Sequence, residues 1–330
     1  MDHPLTTVEV TTPSRLHFGM FSFGRADVRQ FGGVGMMIDR PGLQLRLTPA
    51  ERFRASGPLA NRAMEFAQRW TANAGRVELP RCHIEILYAP PQHAGLGVGT
   101  QLGLAVAAGL NASHGRPSAS AAALAAQVER GLRSSIGIYG FAQGGLIVER
   151  GKLEREAIAP LAVRDEVPSD WRVVLVQPHE RGGLSGGEEQ QAFAAVAPVP
   201  KAVTAMLWQE VETSLLPALR SRDFDAFSQS VYRFGHAAGM CFAEVQGGAY
   251  NGSLLTAIIA AARRLGVEGV GQSSWGPTIF CLMRDDAAAG EFIERMRRDF
   301  PHIDANYTVA RPVHHGATIA TPGTTAREIE

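Results

Sequence analysis

The chain is short of lysine, cysteine and uninterrupted apolar sequence, and each shortage narrows what it can be. Lys152 and Lys201 are its two lysines, so nearly all its positive charge is arginine. Arginine's planar fork suits bidentate recognition of phosphate or carboxylate, although a GC-rich genome leaves the same bias. Lys+Arg and Asp+Glu both total 32, so no bulk charge draws the chain to nucleic acid or to an acidic membrane surface. Cys82, Cys241 and Cys281 are odd in number, far apart and without metal-ligand spacing, and read as buried thiols of a reducing cytoplasm. No apolar run is long enough to span a bilayer, and the stretch 1–12 lacks the apolar core of a secretory signal. The expectation is a cytoplasmic protein without membrane or nucleic-acid partners. Its 330 residues, 45% hydrophobic and 19% charged, support a large core and most simply two domains. The acidic, proline-containing stretch 160–170 sets their expected bounds at 1–165 and 166–330.

Glycine, by contrast, is plentiful, and it is concentrated where chemistry is expected. The run Pro91-Gln92-His93-Ala94-Gly95-Leu96-Gly97-Val98-Gly99-Thr100-Gln101 follows an alternating strand, 83–87, and leads into an alanine-rich helix. Three glycines at alternate positions let a ligand approach the backbone. The first helical turn offers unpaired N–H groups and the positive end of the dipole, so the segment reads as a phosphate seat. A tightly packed helix start is the bland alternative.

Elsewhere, 8–10 and 43–47 alternate as strands, and the glycine-rich 18–35 between them is expected to form loops and short strands over a pocket. Helices are expected over 61–71, from Thr100 to about 111–115, and from Pro117 to about Gly131. A second glycine-rich turn, 137–145, then precedes a strand, 146–149. In the second half, 172–177 reads as a buried strand and 179–187 as a loop able to approach a ligand. Helices follow over 188–195, 201–220, 224–240 and 253–265. A third glycine-containing turn, 269–277, leads to strand 278–283, helix 287–298 and strand 307–310. The polar end from Ala317 is expected to be loose.

Three of these segments stand in a telling order: Pro13-Ser14-Arg15-Leu16-His17-Phe18-Gly19, the turn from Gly95 to Gln101, and Gly271-Gln272-Ser273-Ser274-Trp275-Gly276-Pro277-Thr278. The set resembles the GHMP superfamily of galactokinases and of homoserine, mevalonate and phosphomevalonate kinases. Within it the wording is similar to the β-ribofuranosylaminobenzene 5'-phosphate synthase family. Arg-Leu-His-Phe-Gly, Gly-Leu-Gly-x-Gly-Thr-Gln, Arg133-Ser134-Ser135-Ile136-Gly137 before Gly144-Gly145, and Ser-Trp-Gly-Pro-Thr carry that likeness. The resemblance implies an α+β fold: an N-terminal domain like the second domain of ribosomal protein S5 and a C-terminal ferredoxin-like domain. The helix and strand order of the second half suits the latter.

Two departures separate the chain from the kinases it resembles. GHMP kinases place a serine where Gly99 stands, and it helps hold magnesium beside ATP; Thr100, one position along, is the alternative metal ligand here. Mevalonate-type kinases also carry an aspartate several residues before the Gly-Gly pair, where it activates the substrate hydroxyl. The corresponding stretch here, 136–141, has no carboxylate. The synthase resemblance instead implies phosphoribosyl pyrophosphate and 4-aminobenzoate or 4-hydroxybenzoate as substrates. A carbon-linked riboside, CO₂ and pyrophosphate would be the products, within methanopterin-type cofactor synthesis. Magnesium (Mg2+) and a homodimer are further expectations, and ATP is not expected. An ATP-dependent small-molecule kinase and a non-catalytic ligand-binding relative are the competing readings.

The candidate residues follow from both lines. Gly95, Gly97, Gly99, Thr100 and Gln101 are expected to meet the diphosphate. Arg15 is a candidate clamp for phosphate or carboxylate, with a structural ion pair as the alternative. His17 either meets substrate or is a buried histidine bonded to backbone. Arg15 and His17 are placed at the end of the first strand as catalytic candidates, with Ser14 beside them for substrate. Arg133 and Ser134 are assigned to the ribose phosphate, and Ser185 to a loop that closes over the aryl group. Ser273, Ser274 and Trp275 are expected to line the pocket from the second domain, with packing the alternative for Trp275. Glu129, expected on a helix, matches the place of a metal-binding glutamate in related kinases; a solvated helix face is its alternative.

Overall fold

The computed structural model describes residues 5–25, 27–179 and 196–321, and the backbone of 327–328. Two sheets organise them. In the first, β1 (Val8–Ser22) and β2 (Phe31–Pro49) form a long antiparallel pair. The second half of β2 pairs with β4 (Cys82–Tyr88), which carries the short parallel β3 (Arg54–Ser56). The first half of β2 pairs instead with β5 (Leu146–Glu149), and β5 with β6 (Leu161–Asp165). Helices α1 (Ala60–Asn73), α2 (Val98–Ser113) and α4 (Ile136–Gln143) pack with this sheet, and α3 (Ala121–Gln127) packs on those helices. The sequence of α2 is apolar on almost every face, and accordingly nearly the whole helix is buried.

The second sheet runs β10 (Ala305–Ala310), β7 (Arg172–Pro178), β9 (Ile279–Met283), β8 (Val270–Gln272), antiparallel throughout. Its central strand explains the unbroken run Val-Val-Leu-Val. Val173 and Leu175 join the main core, which also holds Phe227, Val231 and Phe234 of α6 (Phe224–Met240). Val174 and Val176 face the other way, into a core with α8 (Ser253–Arg264) and α9 (Asp286–Asp299). A strand covered on both faces loses the polar alternation of a half-exposed one. Helix α6 thus lies between the sheets, with short α7 (Ala243–Gln246) following it.

Four expectations change. The glycine-rich 18–35 is mostly strand, because its glycines serve close packing: a Cβ on Gly19 would stand 2.6 Å from Ala238 Cβ on α6. The expected turn at 137–145 is largely the helix α4. Helix α5 (Lys201–Glu210) continues through a π turn, Val211–Leu215, into Leu216–Arg220. Pro217 has no N–H to continue an α ladder, and the Leu216 N–H reaches five residues back to the Val211 carbonyl. The end of the chain is not loose throughout, since β11 (Thr318–Ala320) pairs with β1 and with β12 (Arg327–Glu328). The expected helix over 188–195, and the loop beyond His179, lie outside the described residues.

Candidate active site at the seam between the sheets

The segments that sequence places far apart interlock at one point. Arg15 N–H donates to the Leu96 carbonyl (3.1 Å), and Ser274 N–H donates to the His17 carbonyl (3.1 Å). The Ser273 hydroxyl donates to the Gly95 carbonyl (2.7 Å) and accepts the His17 N–H (3.1 Å). The backbones approach so closely that a Cβ on Gly276 would lie 2.1 Å from Gly95 N. Beside this junction opens a cavity of about 700 Å3, lined by β1, the 92–97 turn, the start of α2, the 129–134 loop, α6 and 274–276.

The amino end of α2 is the focus of one half. Gly97, left-handed at φ 72°, turns the chain into the helix, and no side chain caps it. No acidic residue occupies the first turn, so the dipole's positive end faces the cavity uncompensated. Around it stand Arg15, Arg62, Arg130 and Arg133. Arg15 Nη1 donates to the Gly95 carbonyl (3.3 Å), and its stem rests against Gly97. Arg130 Nη2 donates to the Thr100 hydroxyl (3.1 Å), while its buried Nε has no partner. Burial, and then the charges of Arg62, Arg69 and Arg133, push the Arg130 pKa below its ordinary value. This is a wall of like charge.

His17 is neutral there: burial first, and the nearby Arg15 second, lower its pKa to about 3. Among the described residues Glu129 is the single carboxylate lining the cavity. It sits beyond α3 at φ 54° rather than on a helix, 3.5 Å from Arg69. The other half of the cavity is apolar and aromatic. Phe18 and Met20 of β1, Ala238 of α6, Phe242, Tyr250 and Trp275 form it. Trp275 meets Phe242 edge to face, with ring centres 5.1 Å apart.

Of the residues singled out from the sequence, Arg15, His17, Gly95, Gly97, Gly99 and Thr100 line the cavity. So do Glu129, Arg133, Ser134, Ser274 and Trp275. Arg15 and His17 lie in the middle of β1, not at its end. Three others do not line it. Ser14 faces away and bonds the Pro41 carbonyl; Gln101 is buried and ties α2 to α4 through the Gly137 carbonyl (2.8 Å); Ser273 is fully buried at the junction. A hydroxyl or amide in a glycine-rich motif serves backbone as readily as ligand. Ser185 lies outside the described residues. Sequence reasoning missed Arg62, Arg130 and the aromatic pair Phe242 and Tyr250. The cluster Glu129-Arg130-Gly131-Leu132-Arg133 was the one available signal for Arg130.

Residues 215–302 match the family described as GHMP kinases C terminal. The homoserine kinase of Cytophaga hutchinsonii shares the fold with a TM-score of 0.70 over 97% of this chain and 99% of that one, at 17% identity. The mevalonate diphosphate decarboxylase of Staphylococcus aureus does so with 0.64 over 96% and 98%, at 11% identity. The fold is therefore that of the GHMP kinase superfamily. More specific likeness comes from the β-ribofuranosylphenol 5'-phosphate synthases of two archaea. That of Archaeoglobus fulgidus is 30% identical over 307 residues, 89% of this chain and 92% of that protein. That of Methanothermobacter thermautotrophicus is 29% identical over 295 residues, 83% and 88% of the two. The chain belongs to the β-ribofuranosylphenol 5'-phosphate synthase family. No helix among its described residues is long and apolar enough to cross a membrane.

Proposed function

We propose that the protein is a decarboxylating phosphoribosyl transferase. It joins phosphoribosyl pyrophosphate to 4-hydroxybenzoate or 4-aminobenzoate, in the route to a methanopterin-type cofactor. The observation that carries this reading is the uncapped amino end of α2 ringed by four arginines, opposite an apolar end fit for an aromatic ring. Arg15 and the amides after Gly97 hold the pyrophosphate, Arg133 and Ser134 the ribose phosphate, and Phe242 and Trp275 flank the acceptor.

The C1–oxygen bond of the sugar breaks, and its electron pair leaves on pyrophosphate. The ring carbon bearing the carboxylate supplies a π pair to C1, pushed by the lone pair of the para hydroxyl or amino group. The bond to the carboxylate then breaks as CO₂ departs, and its pair restores the aromatic ring. No proton changes hands, so the step asks for charge stabilisation and exclusion of water rather than for a base. His17, neutral and buried, adds no charge but shapes the wall beside the sugar.

Magnesium fits this site in one particular way. No group of three or more His, Cys, Asp or Glu side chains among the described residues makes a cage, whereas magnesium usually rides on substrate phosphates with one or two carboxylates. Glu129 is the carboxylate available to it. When bound, the ion neutralises part of the leaving group's charge.

The test is incubation without ATP, using an acceptor labelled in its carboxylate. Labelled CO₂ and pyrophosphate should appear in equal amounts with an aryl riboside phosphate. ADP formation with an alcohol acceptor, and no CO₂, would replace this reading with the kinase one.

A further inference from the structure

One ionisable side chain next to the arginine wall has no part in the reaction as derived. Glu149 ends β5, is fully buried and does not line the cavity. Its Oε2 accepts the Ser135 N–H (2.5 Å) at the start of α4, while Oε1 has no hydrogen-bond partner. The register explains how it reaches the site. Across the three strands, His17 faces Gly35, which faces Ile147, and in the next row on that face, two residues along β2, Met20 faces Gly33, which faces Glu149. Paired residues share a face, so glycines on the middle strand leave a gap between Glu149 and β1. A Cβ on Gly33 would stand 3.3 Å from His17 Cε1. The groups facing the carboxylate are Arg15 from β1, Ser134 and Ser135 from the loop, and Tyr139 from α4; β2 offers only glycine.

We infer that Glu149 is a positioning residue of the phosphate wall, tethering the 133–135 loop through Ser135 and setting the electrostatic field at Arg15 across the glycine gap. The inference rests on the cavity being a diphosphate site. Its consequence is proton-linked binding. Burial raises the Glu149 pKa to about 7, against the opposing pull of Ser134, Ser135 and Arg15. An arriving anion competes for Arg15 and disfavours a second negative charge behind it, so the carboxylate takes a proton from solvent as pyrophosphate binds. The same internal carboxylate occupies the amino end of α4, which leaves the amino end of α2 for substrate.

Inorganic pyrophosphate is the probe, titrated by calorimetry into the unaltered protein and Glu149→Gln at pH 6 and pH 8. Gln keeps an acceptor for Ser135 and removes the charge. The ratio of wild-type to variant Kd, in which the ligand's own titration cancels, should rise from about 1 to on the order of threefold. Glu149→Ala, which also frees Ser135, should bind about tenfold more weakly than Glu149→Gln at both pH values. Should the variants fail to fold, the infrared difference spectrum of the unaltered protein at pH 7.5, pyrophosphate-bound minus free, must gain a protonated carboxyl band. A ratio flat with pH, or no such band, overturns the role of Glu149 alone. Failure of the unaltered protein to bind pyrophosphate overturns the diphosphate reading together with it.

Discussion

Replacing Gly97 by valine puts the phosphate seat under direct strain. The position holds φ 72°, which costs an L residue roughly 1–2 kcal/mol and a β-branched one more. A Cβ there would lie 3.1 Å from Arg15 Cβ and 3.2 Å from its Nε, so valine's two methyl groups push the guanidinium off the Gly95 carbonyl. Against a total stability of about 5–15 kcal/mol the fold survives, and melting should fall by about 4–8 °C. Substrate suffers more. Two charge-assisted hydrogen bonds, one from Arg15 and one from an α2 amide, are worth about 1.5–3 kcal/mol each. Their loss lowers kcat/KM for phosphoribosyl pyrophosphate by at least ~100-fold. Circular dichroism melting and a coupled pyrophosphate-release assay measure the two effects separately. A folded variant with unchanged kcat/KM would refute the seat.

Gly99→Ala separates the two effects: its Cβ would meet nothing closer than Arg130 Nη2 at 3.8 Å, so melting should not move, while a methyl group inside the seat should raise KM for phosphoribosyl pyrophosphate by about tenfold in steady-state kinetics. Stability against pH should show two opposed slopes. His17, with its pKa lowered from 6.5 to about 3, contributes stability that is present above 6.5 and lost as pH falls toward 3. Glu149, raised from 4.5 to about 7, contributes stability that is full below 4.5 and lost as pH rises through 7, ~3 kcal/mol in all. Denaturant melts of Glu149→Gln should therefore lose the decline between pH 5 and 8, and an unaltered decline would count against the buried charge. Ser273→Ala removes both bonds at the junction and should lower stability by about 1–3 kcal/mol while raising KM, read by urea unfolding and steady-state kinetics.

How legible was all this in the residues alone? The glycine turn was, because Gly95, Gly97 and Gly99 stand between an alternating strand and an apolar helix; that they line one cavity is what the fold adds. Most of the helices and strands of the second half were too, since 224–240, 279–283 and 286–299 carry clear periodicity. The long β1–β2 pair was not. Glycine is depleted in strands, and only the tertiary contact of Gly19 with α6 explains why it is needed there. Arg62 and Arg130 carry no motif that marks them, because an arginine's partners depend on what the fold brings opposite it. Glu149 closes an ordinary Leu-Ile-Val-Glu strand, and its importance rests on a register with Gly33 that no single segment displays. Ser14, Gln101 and Ser273 belong to the same motifs, yet the two hydroxyls and the Gln101 Nε2 bond backbone.

The junction of His17, Gly95 and Ser273 also bears on traffic. Many two-domain enzymes admit ligand by swinging their halves apart, but here such a swing would tear the very carbonyls and amides that shape the anion seat. His93 and Leu132, the latter 72% exposed, stand on the solvent side of the same cavity. A hinge that opened this seam would dismantle the surface it was meant to uncover.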